Sequence, residues 1–133
     1  MKQVAKLIII DPENHYLLMY RNNHPMFGND PDLPGGTLET GETVLETMIR
    51  EVKEEVGVDI DGNRAREMYS GAEYSTHGTH YSLFEVNVDE RPEITISWEH
   101  ADYAWLTKSM FLEKIKNSQD TYMHMVYDTL NKR

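Results

Sequence analysis

Cysteine is absent from the 133 residues, which removes disulfides, thiolate metal sites and cysteine nucleophiles together. The remaining chemistry belongs to carboxylate, histidine and hydroxyl groups. Long apolar runs are also missing. The longest unbroken aliphatic stretch is Leu7 to Ile10, far short of the ~20 residues a membrane-spanning helix needs, so no membrane partner is expected. The N-terminal MKQVAKLIIIDPE has neither the apolar length nor the small-residue cleavage site of a secretory signal, and a cytoplasmic location is the expectation. Basic residues are scarce: 13 lysines and arginines against 23 aspartates and glutamates give a formal charge of −10. Long nucleic acid is held largely by cations that neutralise its phosphates, so that class of partner is excluded. A small phosphate-bearing ligand fits such a charge only if divalent metal ions bridge it to the protein. Linkers, internal repeats and low-complexity stretches are lacking too, and the length gives one domain over residues 1–133.

The acidic residues concentrate in one stretch, Gly36 to Val58. Thr43 followed three residues later by Glu46 is a capping box, in which hydroxyl and carboxylate each satisfy a free backbone N–H, so a helix starts near 43. Val44, Leu45, Met48, Ile49, Val52 and Val56 form its apolar stripe, and Gly57 supplies the stop. Glu51, Glu54 and Glu55 then share a second face, where like charges repel by a few tenths of a kcal/mol per pair in water. Arg50 reaches Glu46 or Glu54, four residues to either side, but one arginine cannot neutralise three carboxylates. Hard divalent cations, Mg²⁺ or Mn²⁺, take carboxylate oxygens and keep waters that phosphate oxygens can replace. A solvated acidic face explains the charge but neither the spacing nor the glycines.

That spacing is Gly36, Glu42, Arg50, Glu51, Val52, Glu54, Glu55, Gly57, Val58, or G-x5-E-x7-R-E-U-x-E-E-x-G-U with U aliphatic. It resembles the complete Nudix box of the Nudix hydrolase family, with chance odds on the order of 10⁻⁷. The resemblance implies an α/β/α sandwich with a mixed β-sheet. It also implies metal-dependent hydrolysis of a pyrophosphate bond in a nucleoside diphosphate linked to another moiety. By the same resemblance Gly36 offers a carbonyl to the metal, beside Glu51, Glu54 and Glu55. Glu99, six residues before Trp105, is similar to a glutamate that reaches the active site in many family members, as ligand or base. The general base is then Glu54 or Glu99, with Glu51 also in play, while Arg50 and Glu42 orient the others. Tyr74 stands where dinucleoside polyphosphate hydrolases of the family carry a substrate-binding tyrosine, although eight tyrosines make the coincidence cheap. The ADP-ribose group's proline is missing from Ser70 to Tyr74. A nucleotide-binding module that does not cut is the alternative from another class.

Elsewhere the pattern predicts strands over residues 4–10, 15–21, 66–75, 80–88 and 94–98, with Asp11 to Asn14 as a turn. A long loop, Asn22 to Gly36, leads into the box, and its Gly35 and Gly36 let the backbone come close to a ligand. Arg21, at the edge of that loop, is a candidate phosphate contact. Val58 to Ser70 fails as a calcium loop because Arg64 stands where glycine is needed. His77 and His80 lack a third zinc ligand nearby in sequence, and a hairpin turn is the better reading. From Ser109 onward the spacing predicts helix, with Met110, Met123 and Met125 filling the core or an interface. Self-association as a homodimer is compatible with this.

Overall fold

The computed structural model describes residues 1–132. Its elements, in order, are β1 (Gln3–Ile10), β2 (His15–Arg21), β3 (Pro31–Asp32), β4 (Gly35–Thr37), α1 (Val44–Val56), β5 (Arg66–Gly71), β6 (His80–Asn87), β7 (His100–Thr107), α2 (Lys108–Ile115) and α3 (Thr121–Asn131). β1 alternates its apolar side chains between two faces, as a strand buried on both sides must. Ile8 and Ile10 point to one core with Phe111, Ile115, Met123, Val126 and Leu130 of α2 and α3. Ala5, Leu7 and Ile9 point to the other, against Met48, Val52 and Val56 of α1. The helices therefore cover both faces of a mixed sheet, the α/β/α arrangement. Each of these side chains larger than Ala5 contributes about 1.5–3 kcal/mol through burial.

The sheet is split in a way that creates room. β1 and β2 meet at the Asp11–Asn14 turn, where Asp11 Oδ1 accepts from the amides of Glu13 and His15. They pair only at Ile10↔Tyr16 and then diverge. β1 runs parallel to β6 along its whole length, while β2 runs antiparallel to β7. Into the opening come β3, paired to β2, and β4, paired to β1, with Leu7 N–H donating to Pro34 O between them. The glycine loop is thus laid in the middle of the molecule, in front of α1. Gly35 adopts φ +147°, and a Cβ there would lie 2.3 Å from Ala5 O, so only glycine lets the two strands approach.

Three expectations are corrected. Residues 94–98 form no strand: the amides of Thr95 and Ser97 donate to Val56 O and Glu55 O, so this segment closes the C-terminal end of α1 and leaves strand pairing to β7. The predicted C-terminal helix is two helices, because Asp120 accepts from Tyr122 N–H and caps a new start. The strand predicted over 66–75 stops at Gly71, and a longer connection leads to β6. Met123 and Met125 are core, whereas Met110 is exposed.

Candidate active site

The helix of the box forms for the reasons its sequence supplies. Thr43 Oγ1 accepts from Glu46 N–H at 3.1 Å and Glu46 Oε1 accepts from Thr43 N–H at 2.9 Å, while Gly57 ends the helix at φ 75°. Arg50 does not turn to Glu46, whose carboxylate is taken by the cap. Its Nε and Nη2 donate to Glu42 at 2.6 and 3.0 Å, and Nη1 donates to Glu51 at 3.0 Å and Glu54 at 3.2 Å. Glu42 is fixed in turn by Thr47 Oγ1 and Glu39 N–H. This network, Arg50 foremost, holds the Glu42 carboxyl down to about 2.

The three glutamates expected on one patch fan out. Glu51 lies against Gly36, where a Cβ would be 2.5 Å from its carboxyl carbon. Glu55 turns inward, buried, and accepts from Gly35 N–H at 2.9 Å. Glu54 remains largely exposed. Burial pushes the Glu55 carboxyl up to about 7, the Gly35 amide only partly opposing it. Burial also raises Glu51; Arg50 counters this, and the charges of Glu54 and Glu99 add to the rise. Among the described residues no three histidine, aspartate or glutamate side chains form a ready-made metal cage. The donor set nevertheless suits a hard cation. It consists wholly of oxygens, two of its carboxylates are destabilised by burial and by neighbouring carboxylates, and the missing Cβ of Gly36 leaves room for the Glu51 carboxylate against the loop.

Beside α1 lies an open cleft of about 1180 Å³. Glu51, Glu55, Gly35, Gly36 and the exposed Glu99 line it, and Glu54 does not. The NUDIX domain family matches residues 1–126. The chain belongs to that family. It is 50% identical over 50 residues (38% of the chain) to the ADP-ribose pyrophosphatase of Methanocaldococcus jannaschii, and those residues span 29% of that relative. Against the dihydroneopterin triphosphate diphosphatase of Haemophilus influenzae it is 30% identical over 135 positions, covering 90% of the chain and 82% of the relative. The fold is similar to the MutT protein of Methanosarcina mazei Go1, with TM-score 0.70, 22% identity and coverage of 98% and 95%.

In this Nudix chain the expected substrate contacts are placed differently from one another. Arg21 lines the cleft although buried, its Nη2 donating to Asp120 at 2.6 Å and Asp32 at 3.2 Å while its Nε has no hydrogen-bond partner among the described residues. Gly35 lines the cleft, but its N–H serves Glu55. Tyr74 lies outside the cleft, in a smaller hollow with His124 and Tyr127, where its hydroxyl donates to Asp128 at 2.7 Å. His80 bonds Ser70 at 2.8 Å, whereas His77 borders the cleft.

Sequence reasoning missed the cleft floor. Lys6, in the middle of β1, donates to Asp32 at 2.6 Å, and Asp32 also meets His100 at 3.1 Å. Burial works against the Lys6 cation, yet Asp32 leaves its pKa raised. Burial likewise works against the Asp32 carboxylate, but Lys6, His100 and Arg21 outweigh it and hold Asp32 far below the usual range. A lysine interrupting an apolar strand was the available signal. Also missed was Trp98, expected within a strand but exposed at the cleft mouth.

Proposed function

We propose that the chain hydrolyses a pyrophosphate bond in a nucleoside diphosphate linked to another moiety, of the nucleoside triphosphate or dinucleoside polyphosphate type, using Mg²⁺ or Mn²⁺. The observation that carries this reading is the surplus of carboxylate over cation where α1 borders the cleft. Both sequence relatives are named for cutting diphosphate linkages, in ADP-ribose and in dihydroneopterin triphosphate. Glu51, Glu54, Glu55, Glu99 and the Gly36 carbonyl would hold the metal. When bound, the ion supplies a Lewis acid that gathers polyphosphate oxygens and acidifies water.

The protein's own groups divide the remaining work. Arg50, clamped by Glu42, fixes Glu51 and Glu54, and Gly35 N–H fixes Glu55. Glu99 takes the proton of the attacking water in our reading, because it lines the cleft and is not tied to Arg50, while Glu54 is. The test is a panel of nucleoside triphosphates, dinucleoside polyphosphates and ADP-ribose, with each metal and with EDTA, scored by phosphate and nucleotide release. Metal-dependent cleavage of at least one compound is expected. Intact nucleotides throughout would defeat the reading, and saturable binding without cleavage would favour a nucleotide-binding module.

A further inference from the structure

We infer that Trp98, on the cleft that Met26 and Phe27 also line, is a stacking platform that selects substrates carrying a flat heteroaromatic base. The inference rests on the hydrolase reading but concerns the end of the substrate remote from the metal. Trp98 is 83% exposed and Met26 73%. Large apolar side chains so displayed on one cleft mark a binding surface. Both border the same cleft as Glu51, Glu55 and Glu99, and Trp98 directly precedes Glu99 in the chain.

Their backbone is held firmly while the side chains stay open. Asn22 Nδ2 donates to Trp98 O at 3.2 Å and Asn22 N–H donates to Glu99 O at 3.0 Å, joining the two loops side by side. Ser97 N–H donates to Glu55 O at 3.1 Å, which ties the tryptophan's segment to α1. In the loop that follows Asn22, His24 and Gly28 exchange backbone hydrogen bonds, and His24 Nδ1 accepts from the amides of Met26 and Phe27, both at 3.1 Å. The Phe27 ring is backed by the Arg21 guanidinium at 4.6 Å. Loops whose backbone is held before the ligand arrives leave only the side chains to be ordered on binding. Stacking is offered by every base, so the substrate range should be broad in base identity, with purines ahead of pyrimidines for their larger rings.

The experiment titrates the whole chain, in Mg²⁺, with α,β-methylene-ATP, α,β-methylene-UTP and inorganic tripolyphosphate, following tryptophan emission and, by calorimetry, affinity. The chain has two tryptophans, so Trp98→Phe identifies which one responds. Nucleotides are expected to change the emission, ATP analogue before UTP analogue, and tripolyphosphate is not. Trp98→Phe should abolish the response and keep affinity within about threefold, since a smaller ring still stacks; Trp98→Ala should weaken nucleotide affinity roughly tenfold and leave tripolyphosphate unchanged. Met26→Ala provides a second, milder loss at the same surface. Equal nucleotide affinity in wild type and Trp98→Ala would overturn the inference, even in a chain that cleaves nucleotides. A Trp98 response in a chain that cleaves nothing would uphold the platform and remove the hydrolase reading instead.

Discussion

Two charged clusters border the cleft, and they are solved differently. On its floor, Lys6 and Arg21 face Asp32 and Asp120, two cations to two anions, with side chains no more than 11% exposed. On its helix wall, Arg50 alone meets Glu42, Glu51 and Glu54, with Glu39 at 3.8 Å, and Glu55 and Glu99 add further negative charge. The floor is balanced in charge, its cations and anions meeting in direct hydrogen bonds, although Arg21 Nε and His100 Nδ1 stay buried without a partner among the described residues. The wall is not balanced, and carboxylates crowded together are each raised in energy by their neighbours. The balanced cluster is architecture, and the unbalanced one is, in our proposal, where positive charge from outside is received.

The sharpest separation comes from changing one carboxylate in each. Glu99→Gln should lower turnover by about 10²- to 10⁴-fold, the range for losing a general base. Its effect on stability should stay within about 0.5 kcal/mol, as for other surface substitutions. Steady-state kinetics and a urea melt on the same preparation check both halves, and retained turnover would return the base to Glu54. Asp32→Asn should act the other way round. It strands the buried Lys6, and breaking such a pair costs about 3–5 kcal/mol, read as a drop in the urea midpoint. The acid limb sharpens this further. Because the folded Asp32 is depressed, its contribution is present above the unfolded carboxylate value of ~3.9 and drains away as pH falls toward the lowered folded value. Wild type should therefore lose stability steeply below about pH 4, and Asp32→Asn should show a shallower slope. Parallel slopes would mean that the floor cluster does not stabilise the fold.

The two clusters were not equally legible in the sequence. The wall could be read because helix geometry is local: Thr43, Glu46 and Gly57 set the ends, and residues three and four apart share a face whatever the rest of the chain does. Even there the rotamers escaped, since Glu55 turns inward only because Gly35 offers an N–H from a distant loop. The floor could not be read. Lys6, Arg21, Asp32 and Asp120 come from four separate elements, and their meeting depends on β1 and β2 diverging after a single paired position. The strand predicted at 94–98 failed for a related reason: burial falls off from Ile94 to the exposed Trp98, and the amides of Thr95 and Ser97 serve the carbonyls at the end of a helix. Periodicity reports which side is covered and is silent on who pairs with it.

The smallest expected effect returns to the charge imbalance itself. If the wall takes a divalent cation, binding to the folded state alone stabilises it by mass action, about 1.4 kcal/mol at an ion concentration ten times the dissociation constant. For a domain of this length that is a rise of roughly 3–5 °C in melting temperature. The rise should saturate with Mg²⁺ or Mn²⁺ and disappear with EDTA. Glu51→Gln, which removes a carboxylate packed on Gly36, should flatten the response. Asp32→Asn should melt lower throughout yet keep its increment, because the floor contributes no oxygen to the ion. A metal increment lost equally in both variants would show the two clusters to be one electrostatic unit, and the division between architecture and site would go with it.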